Sequence, residues 1–155
     1  MRFILLLAAL LSAITEVQAA NLQGHPSVID GDTIELHGTR IRLFGIDAPE
    51  SRQLCQDAAG HDYRCGQKAA FALADHINSG TVFCDPRDVD RYGRTVAICY
   101  LGAEDLNGWM VEEGQAVAYR RYSLDYVSQE QAAQAAHRGL WAGSFTMPWD
   151  WRKQH

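Results

Sequence analysis

Two short apolar segments, residues 29–36 and 40–46, are separated by three residues that include Gly38. Acidic residues lie at the start of the first segment and after the end of the second. Alternating apolar residues on either side of a tight turn are typical of a β-hairpin. With Gly38 as the first of two turn residues, Ile34 lies opposite Leu43 and the apolar side chains share one face. Such a hairpin does not itself require the acidic residues that lie beside the predicted strand ends, namely Asp30, Asp32, Asp47 and Glu50.

The predicted register brings Asp30, Asp32 and Asp47 close together. Clustered like charges repel one another unless a cation neutralises them, and a hard divalent cation bound by oxygen atoms is the natural occupant. Arg42 falls on the opposite face, so it reaches this cluster only if a bulge shifts the strand or its long side chain wraps round. Ordinary acidic turns are the alternative explanation, because Asp-Gly-Asp is common turn chemistry.

The chain has 155 residues, the length of a single domain. Residues 1–20 combine Arg2 with an apolar run and then small residues, which predicts a secretory signal peptide cleaved near Ala19 or Ala20. A retained membrane anchor is the alternative. The predicted domain covers 21–155, with a core at about 26–142 and an aromatic C-terminal strap at 143–155. We expect this strap to lie over the body without taking part in a site.

Four cysteines in an exported chain predict two disulfides. Local pairing, Cys55 with Cys65 and Cys84 with Cys99, is the simplest of the three connectivities. Since the chain has no Cys-x-x-Cys motif, a zinc site or a redox motif is disfavoured. We therefore expect a periplasmic or secreted protein, and nothing in the sequence demands more than a monomer.

The net charge of −5 argues against a bulk electrostatic attraction to nucleic acid. Arginine, however, is much the commoner basic residue, and lysine occurs only at Lys68 and Lys153. Arginine is suited to forked contacts with phosphate. The composition therefore favours local phosphate chemistry over tight coating of a long polyanion.

Strands are predicted over 26–36, 40–46, 81–85, 94–101 and 116–119, and helices over 66–78, 105–113 and 124–138. This order does not fit a parallel βαβ sheet. It fits an α+β protein with a small, mainly antiparallel barrel and about three packed helices.

Several short motifs resemble the staphylococcal nuclease (thermonuclease) family. Each motif is weak alone, but their shared order and spacing make the resemblance specific, and it spans nearly all of the predicted domain. The matching segments are 29–33, 40–43, 47–50, 90–94, 106–107, 110–114 and 117–119. The resemblance implies a five-stranded OB-fold barrel and calcium-dependent hydrolysis of DNA and RNA phosphodiesters.

The resemblance also implies roles for the hairpin residues. Asp32 and Asp47 would bind calcium with the backbone carbonyl of Ala48, and Asp30 would act through water in the outer shell. Glu50 would be the candidate general base. Because two protein carboxylates leave most calcium positions to other ligands, we expect weak binding, with a Kd of about 10⁻⁴ to 10⁻³ M.

Two arginines would stabilise the scissile phosphate, Arg42 and Arg94. Arg91, Tyr92 and Tyr119 match positions that contact a terminal phosphate or line the nucleotide pocket. The aromatic and basic run at 119–122 adds Arg120 and Arg121 as candidate substrate contacts, although rim residues packed on the next helix are an equally good explanation. The chain departs from the best-known member in its acidic charge and in having Ala48 where that protein has threonine.

The sequence is also compatible with three other functions. One is a non-catalytic nucleic-acid-binding OB-fold module. Another is a secreted structural module in which calcium only steadies a loop, and a third is a metal-dependent phosphatase that acts on small esters.

Overall fold

A curled sheet forms the body of the protein in the computed structural model, which describes residues 22–155. The predicted signal peptide lies outside the described residues. The strands are β1 (Gln23–Gly24), β2 (Ser27–Asp30), β3 (Thr33–Leu36), β4 (Thr39–Leu43), β5 (Ile46–Asp47), β6 (Cys55–Gln56), β7 (Asp62–Tyr63), β8 (Val82–Val89), β9 (Thr95–Leu101), β10 (Glu104–Asp105) and β11 (Val117–Ala118). The helices are α1 (Cys65–Ile77), α2 (Leu106–Glu112), α3 (Val127–Ala135), a 3-10 turn (Gly139–Ala142) and α4 (Pro148–Gln154).

The five longest strands are neighbours in the sheet, in the order β8-β9-β4-β3-β2. All of these pairs are antiparallel except β4 with β9, which run parallel. The predicted α+β class and the OB-fold barrel are confirmed by this curled, barrel-like arrangement. Helix α4 is additional to the three helices predicted from the sequence.

The first hairpin differs from its prediction in two details. The expected single strand at 26–36 is two strands, because the chain turns at 31–32 between β2 and β3. The turn between β3 and β4 has positive φ at His37 (50°) and Gly38 (79°), so Gly38 is its second residue and Ile34 lies opposite Ile41. A shift of two residues leaves every side chain on its predicted face.

Strands β8 and β9 form the second hairpin. Strand β8 continues to Val89, beyond the predicted strand end at 85, because a register shift between Pro86 and Asp88 accommodates the proline within the ladder. Cys84 pairs directly with Cys99 across the two strands, and a disulfide joins them. The second predicted disulfide, Cys55–Cys65, is also present.

The helices cover the sheet with their apolar faces. Helix α1 buries Ala69, Leu73 and Ile77 at helical spacing, and its bounds are close to the predicted 66–78. Helix α3 is shorter than the predicted 124–138. Between residues 22 and 155, we find no helix with the length and apolarity needed to cross a bilayer.

A buried amide joins helix α2 to the parallel strands. Asn107 is fully buried, and its Nδ2 donates hydrogen bonds to the carbonyl oxygens of Phe44 (2.9 Å) and Ala97 (3.1 Å). Its Oδ1 accepts a hydrogen bond from the backbone N–H of Cys99 at 3.1 Å. One side chain therefore satisfies the hydrogen-bonding capacity of main-chain groups on β9 and at the end of β4.

We expect Asn107→Ala to lower the free energy of unfolding by about 2–4 kcal/mol, because it leaves buried main-chain groups without partners. Urea unfolding with both disulfides intact measures this loss. Gln134→Ala, at an exposed position on α3, serves as the control and is expected to change stability by less than about 0.5 kcal/mol. Equal effects of the two substitutions would contradict the role assigned to Asn107.

Candidate active site

The predicted acidic cluster lies where the turn between β2 and β3 meets β5. Arg42 bridges the two sides, because its Nη1 is 2.9 Å from Asp32 Oδ1 and its Nη2 is 3.3 Å from Asp47 Oδ1. Arg42 pairs with Thr33 across the strands and so leaves the sheet on the face opposite Ile34. The long side chain nevertheless reaches the cluster. This is the second of the two routes predicted from the sequence, in which the side chain wraps round.

Asp32 is almost completely enclosed. Its Oδ2 accepts a hydrogen bond from the N–H of Ala48 at 2.8 Å, and its Oδ1 accepts one from the Thr33 hydroxyl at 3.1 Å. Burial opposes ionisation, but the charge of Arg42 and the Ala48 hydrogen bond outweigh it and hold the pKa of Asp32 below its usual value. Asp32 is therefore the most firmly ionised carboxylate of the cluster.

The two neighbouring aspartates respond differently to burial. Burial, together with the charge of Asp32, raises the pKa of Asp30 to about 7. Burial also raises the pKa of Asp47, although a hydrogen bond from Arg152 acts in the opposite direction. The raised pKa of Asp30 thus favours its uncharged form, while arginines contact the other two carboxylates.

Glu50 stands at the open edge of the cluster, with its side chain 36% exposed. Its backbone is fixed by the buried side chain of Gln53, whose Oε1 accepts the Glu50 N–H at 3.2 Å. The first turn of α1 packs directly against it, since a Cβ on Gly66 would lie 1.8 Å from the Glu50 carbonyl oxygen. Only glycine permits this approach, and the Cys55–Cys65 disulfide ties the same loop to the start of α1.

Arg152, from helix α4, completes the cluster. Its Nη1 and Nη2 each lie 2.9 Å from one oxygen of Asp47, and Nη1 is also 2.8 Å from Glu50 Oε1. The sequence prediction gave the C-terminal segment no part in a site. The sequence nevertheless contains signals for helix α4, since Pro148 lies at its first turn and basic residues lie in its last turn.

Arg94 lies at the entrance to β9, apart from these contacts. Its Nε is 2.6 Å from Asp90 Oδ2, and its N–H donates to Asp90 Oδ1 at 2.9 Å. Arg94 immediately precedes β9, and two residues further on Val96 is the register neighbour of Arg42. The two arginines are therefore close in the ladder, with the Arg94 side chain engaged by Asp90.

The tip of the β8–β9 hairpin presents an aromatic ring between two arginines. The guanidiniums of Arg91 and Arg94 lie 4.9 and 5.5 Å from the centre of the Tyr92 ring. Tyr92 is 69% exposed. This tip therefore offers positive charge and an aromatic face to solvent.

The residues of the aromatic and basic run at 119–122 make different contacts in the folded protein. The Tyr119 ring stacks on Trp149 of α4, with centroids 5.3 Å apart. Arg120 is paired with the buried Glu130 at 2.5 Å, whereas Arg121 is exposed. Trp149, like Arg152, was not singled out from the sequence.

The chemistry of the donor set fits a hard divalent cation, since Asp32 and Asp47 offer carboxylate oxygens and Ala48 follows with a backbone carbonyl. Within 22–155, no group of three or more Asp, Glu, His or Cys side chains is arranged to hold a metal ion. A cation bound here would rely on two carboxylates, main chain and water. It would also compete with the arginines that already contact both side chains.

Residues 40–143 match the family model described as staphylococcal nuclease homologue. The chain is 41% identical over 138 residues to the succinoglycan biosynthesis protein ExoI of Rhizobium meliloti, covering 87% of this chain and 72% of that protein. It is 33% identical over 162 aligned residues to an uncharacterized endonuclease of Haemophilus influenzae (97% and 85%). It is 34% identical over 144 residues to a micrococcal nuclease of Shigella flexneri (81% and 77%). The chain belongs to the staphylococcal nuclease-like family.

Proposed function

We propose that this protein is an exported, calcium-dependent nuclease that hydrolyses phosphodiester bonds of DNA, RNA or both. The observation that carries the proposal is the Arg42 guanidinium, which contacts the buried Asp32 and Asp47 beside the half-exposed Glu50. Family membership and relatives named as nucleases support the same activity.

We assign Asp32, Asp47 and the Ala48 carbonyl as calcium ligands, with Asp30 in the outer shell. Bound calcium would supply Lewis-acid stabilisation of charge on the phosphate oxygens. Asp30 already accepts the N–H of Asp32 through its Oδ1 at 3.1 Å, and we place it where it would meet the ion through water. These assignments agree with the all-oxygen chemistry of the site.

Charge develops on the non-bridging oxygens as water attacks phosphorus, and arginines bind such oxygens by forked hydrogen bonds. We assign this role to Arg42 on β4 and to Arg94, which immediately precedes the neighbouring strand β9. Glu50 is the candidate base for the attacking water, since its carboxylate lies at the solvent edge. To contact the phosphate, Arg94 must exchange its Asp90 partner for substrate.

The remaining substrate contacts lie on two surfaces. Arg91 and Tyr92, at the β8–β9 tip, suit a phosphate and a base. Tyr119 and the exposed Arg121 form the second surface, where Tyr119 stacks on Trp149 of α4. Arg120 is expected to act through Glu130, which it already binds, more than through direct contact with substrate.

Export is supported by the two disulfides, which are typical of oxidising compartments. It is also supported by the signal-peptide pattern at 1–20. A nuclease outside the cytoplasm meets millimolar calcium, which suits a weak site made of two carboxylates. We propose that the protein acts as a monomer.

Hydrolysis of single-stranded DNA by the oxidised protein, with calcium or with EGTA, tests the proposal. We expect cleavage only with calcium. Arg94→Ala is expected to lower the rate by about 10²- to 10³-fold, because it removes a group that stabilises the developing charge. The control is Arg87→Ala on β8, an exposed arginine whose partner is Asp85, and it is expected to leave the rate within about twofold, as for a surface substitution outside the assigned contacts.

A wild type that is inert in millimolar calcium but still binds the strand would overturn the nuclease proposal. It would favour the non-catalytic nucleic-acid-binding module. The arginines that contact Asp32, Asp47 and Glu50 are consistent with this alternative, because a cation would have to compete with them for the carboxylates. Cleavage of small phosphate esters without cleavage of polymers would instead indicate a phosphatase.

A further inference from the structure

Helix α4 lies beyond the residues matched by the family model, which end at 143. It is nevertheless fixed firmly to the body. Met147 and Trp149 pack against a buried cluster that includes both cysteines of the Cys55–Cys65 disulfide. The carbonyl of Thr146 accepts a hydrogen bond from Gln53 Nε2 at 2.7 Å, so the loop that carries Glu50 and the segment that leads into α4 are held together.

This anchoring places the Arg152 guanidinium on two carboxylates of the candidate site. Arg152 engages both oxygens of Asp47, a side chain with no exposed surface, and one oxygen of Glu50. A forked contact of this kind has the geometry in which arginine binds carboxylates most strongly. Asp47 also has a longer contact of 3.3 Å with Arg42.

We propose that Arg152 is a positioning residue of this site, which holds the Glu50 carboxylate beside Asp47 and acts as the internal counterion that a divalent cation must displace from Asp47. The proposal rests on the proposed nuclease function for its consequence on turnover. Its consequence for cation binding depends only on the contacts with Asp47.

Two effects of opposite sign follow. Without Arg152, both oxygens of a buried carboxylate lose their main counterion, so a cation binds there more tightly. Glu50 meanwhile loses its contact with Arg152, and a carboxylate that is free to rotate acts less often on the attacking water. A merely structural role for Arg152 would instead weaken cation binding and turnover together, because the loop would loosen.

The test combines calorimetric titration with calcium alone and turnover of single-stranded DNA at saturating calcium and substrate. We expect Arg152→Ala to lower the calcium Kd about 10-fold and kcat about 10-fold, the lower end of the range for residues that orient ligands. Arg152→Lys keeps the charge but not the fork, so its calcium affinity is expected to fall between the other two. Lys153→Ala removes an adjacent exposed cation that pairs with Asp150, and it is expected to change neither quantity.

The calcium-induced rise in Tm gives a second measure of affinity, and it should be larger in Arg152→Ala than in the wild type. Unchanged or weaker calcium binding by that variant would overturn the proposal, as would a kcat equal to or above the wild-type value. If the wild type cleaves no DNA, the proposed function fails by itself. Calorimetry then still decides whether Arg152 competes for Asp47.

Discussion

Arg42→Ala is expected to lower kcat/KM for single-stranded DNA by about 10³-fold and the free energy of unfolding by about 3 kcal/mol in calcium-free buffer. The rate falls because a charge-stabilising fork is lost from the phosphate site. Stability falls because Asp32 and Asp47 are buried, and Arg42 contacts both of them. Steady-state hydrolysis and urea unfolding measure the two effects separately.

Two further variants separate charge from geometry. Arg42→Lys retains a positive charge, so it should recover most of the stability while the rate stays about 10²-fold low, because an ammonium cannot bind two oxygens in a fork. Arg40→Ala is the matched control, since Arg40 lies two residues earlier on β4 and pairs only loosely with Glu35 at 3.7 Å. If Arg40→Ala and Arg42→Ala had similar effects, the role assigned to Arg42 would be untenable.

Glu50→Gln is expected to reduce kcat by about 10²- to 10⁴-fold, the range for loss of a general base. The amide keeps the size and one acceptor oxygen of the carboxylate, so the contact with Arg152 survives in weaker form. Because the side chain is 36% exposed, the free energy of unfolding should change by less than about 0.5–1 kcal/mol. Single-turnover cleavage at saturating calcium isolates the chemical step.

Glu35→Gln, on β3 of the same hairpin, supplies the control for Glu50 and should leave kcat unchanged. A Glu50→Gln enzyme with normal single-turnover kinetics would remove Glu50 from the chemistry. It would leave the phosphate contacts of Arg42 and Arg94 as the main contribution to be tested.

The sequence predicted that the aspartates lie close together from the alternation of apolar residues along two strands. The hairpin register was displaced by two residues, since the turn uses His37 and Gly38 and not Gly38 and Thr39. A displacement by an even number keeps each face of β3 and β4 intact. Asp32 and Asp47 lie just beyond this ladder, in the turn before β3 and on β5, and Arg42 contacts both of them. The contacts of Arg42 were harder to predict. They depend on how far its long side chain extends and not on which face of the strand the residue occupies.

The contribution of α4 could not be predicted in the same way. Arg152 and Asp47 are 105 residues apart along the chain, and no periodic pattern connects residues at that distance. The helix itself was readable from Pro148 and the basic residues at its end. Its position depends on the packing of Trp149 against Tyr119 and on the hydrogen bond to Gln53, which are contacts that only the folded chain creates.

The order in which a ribosome makes the chain gives the Arg152 contact a further meaning. Asp47 and Glu50 are synthesised early, and Arg152 follows only after the whole sheet and helices α1 to α3. Until residue 152 is made, Asp47 has Arg42 as its basic contact but lacks the fork of Arg152, and Tyr119 lacks Trp149. Synthesis of helix α4 is therefore the step that brings the second guanidinium to Asp47 and Glu50.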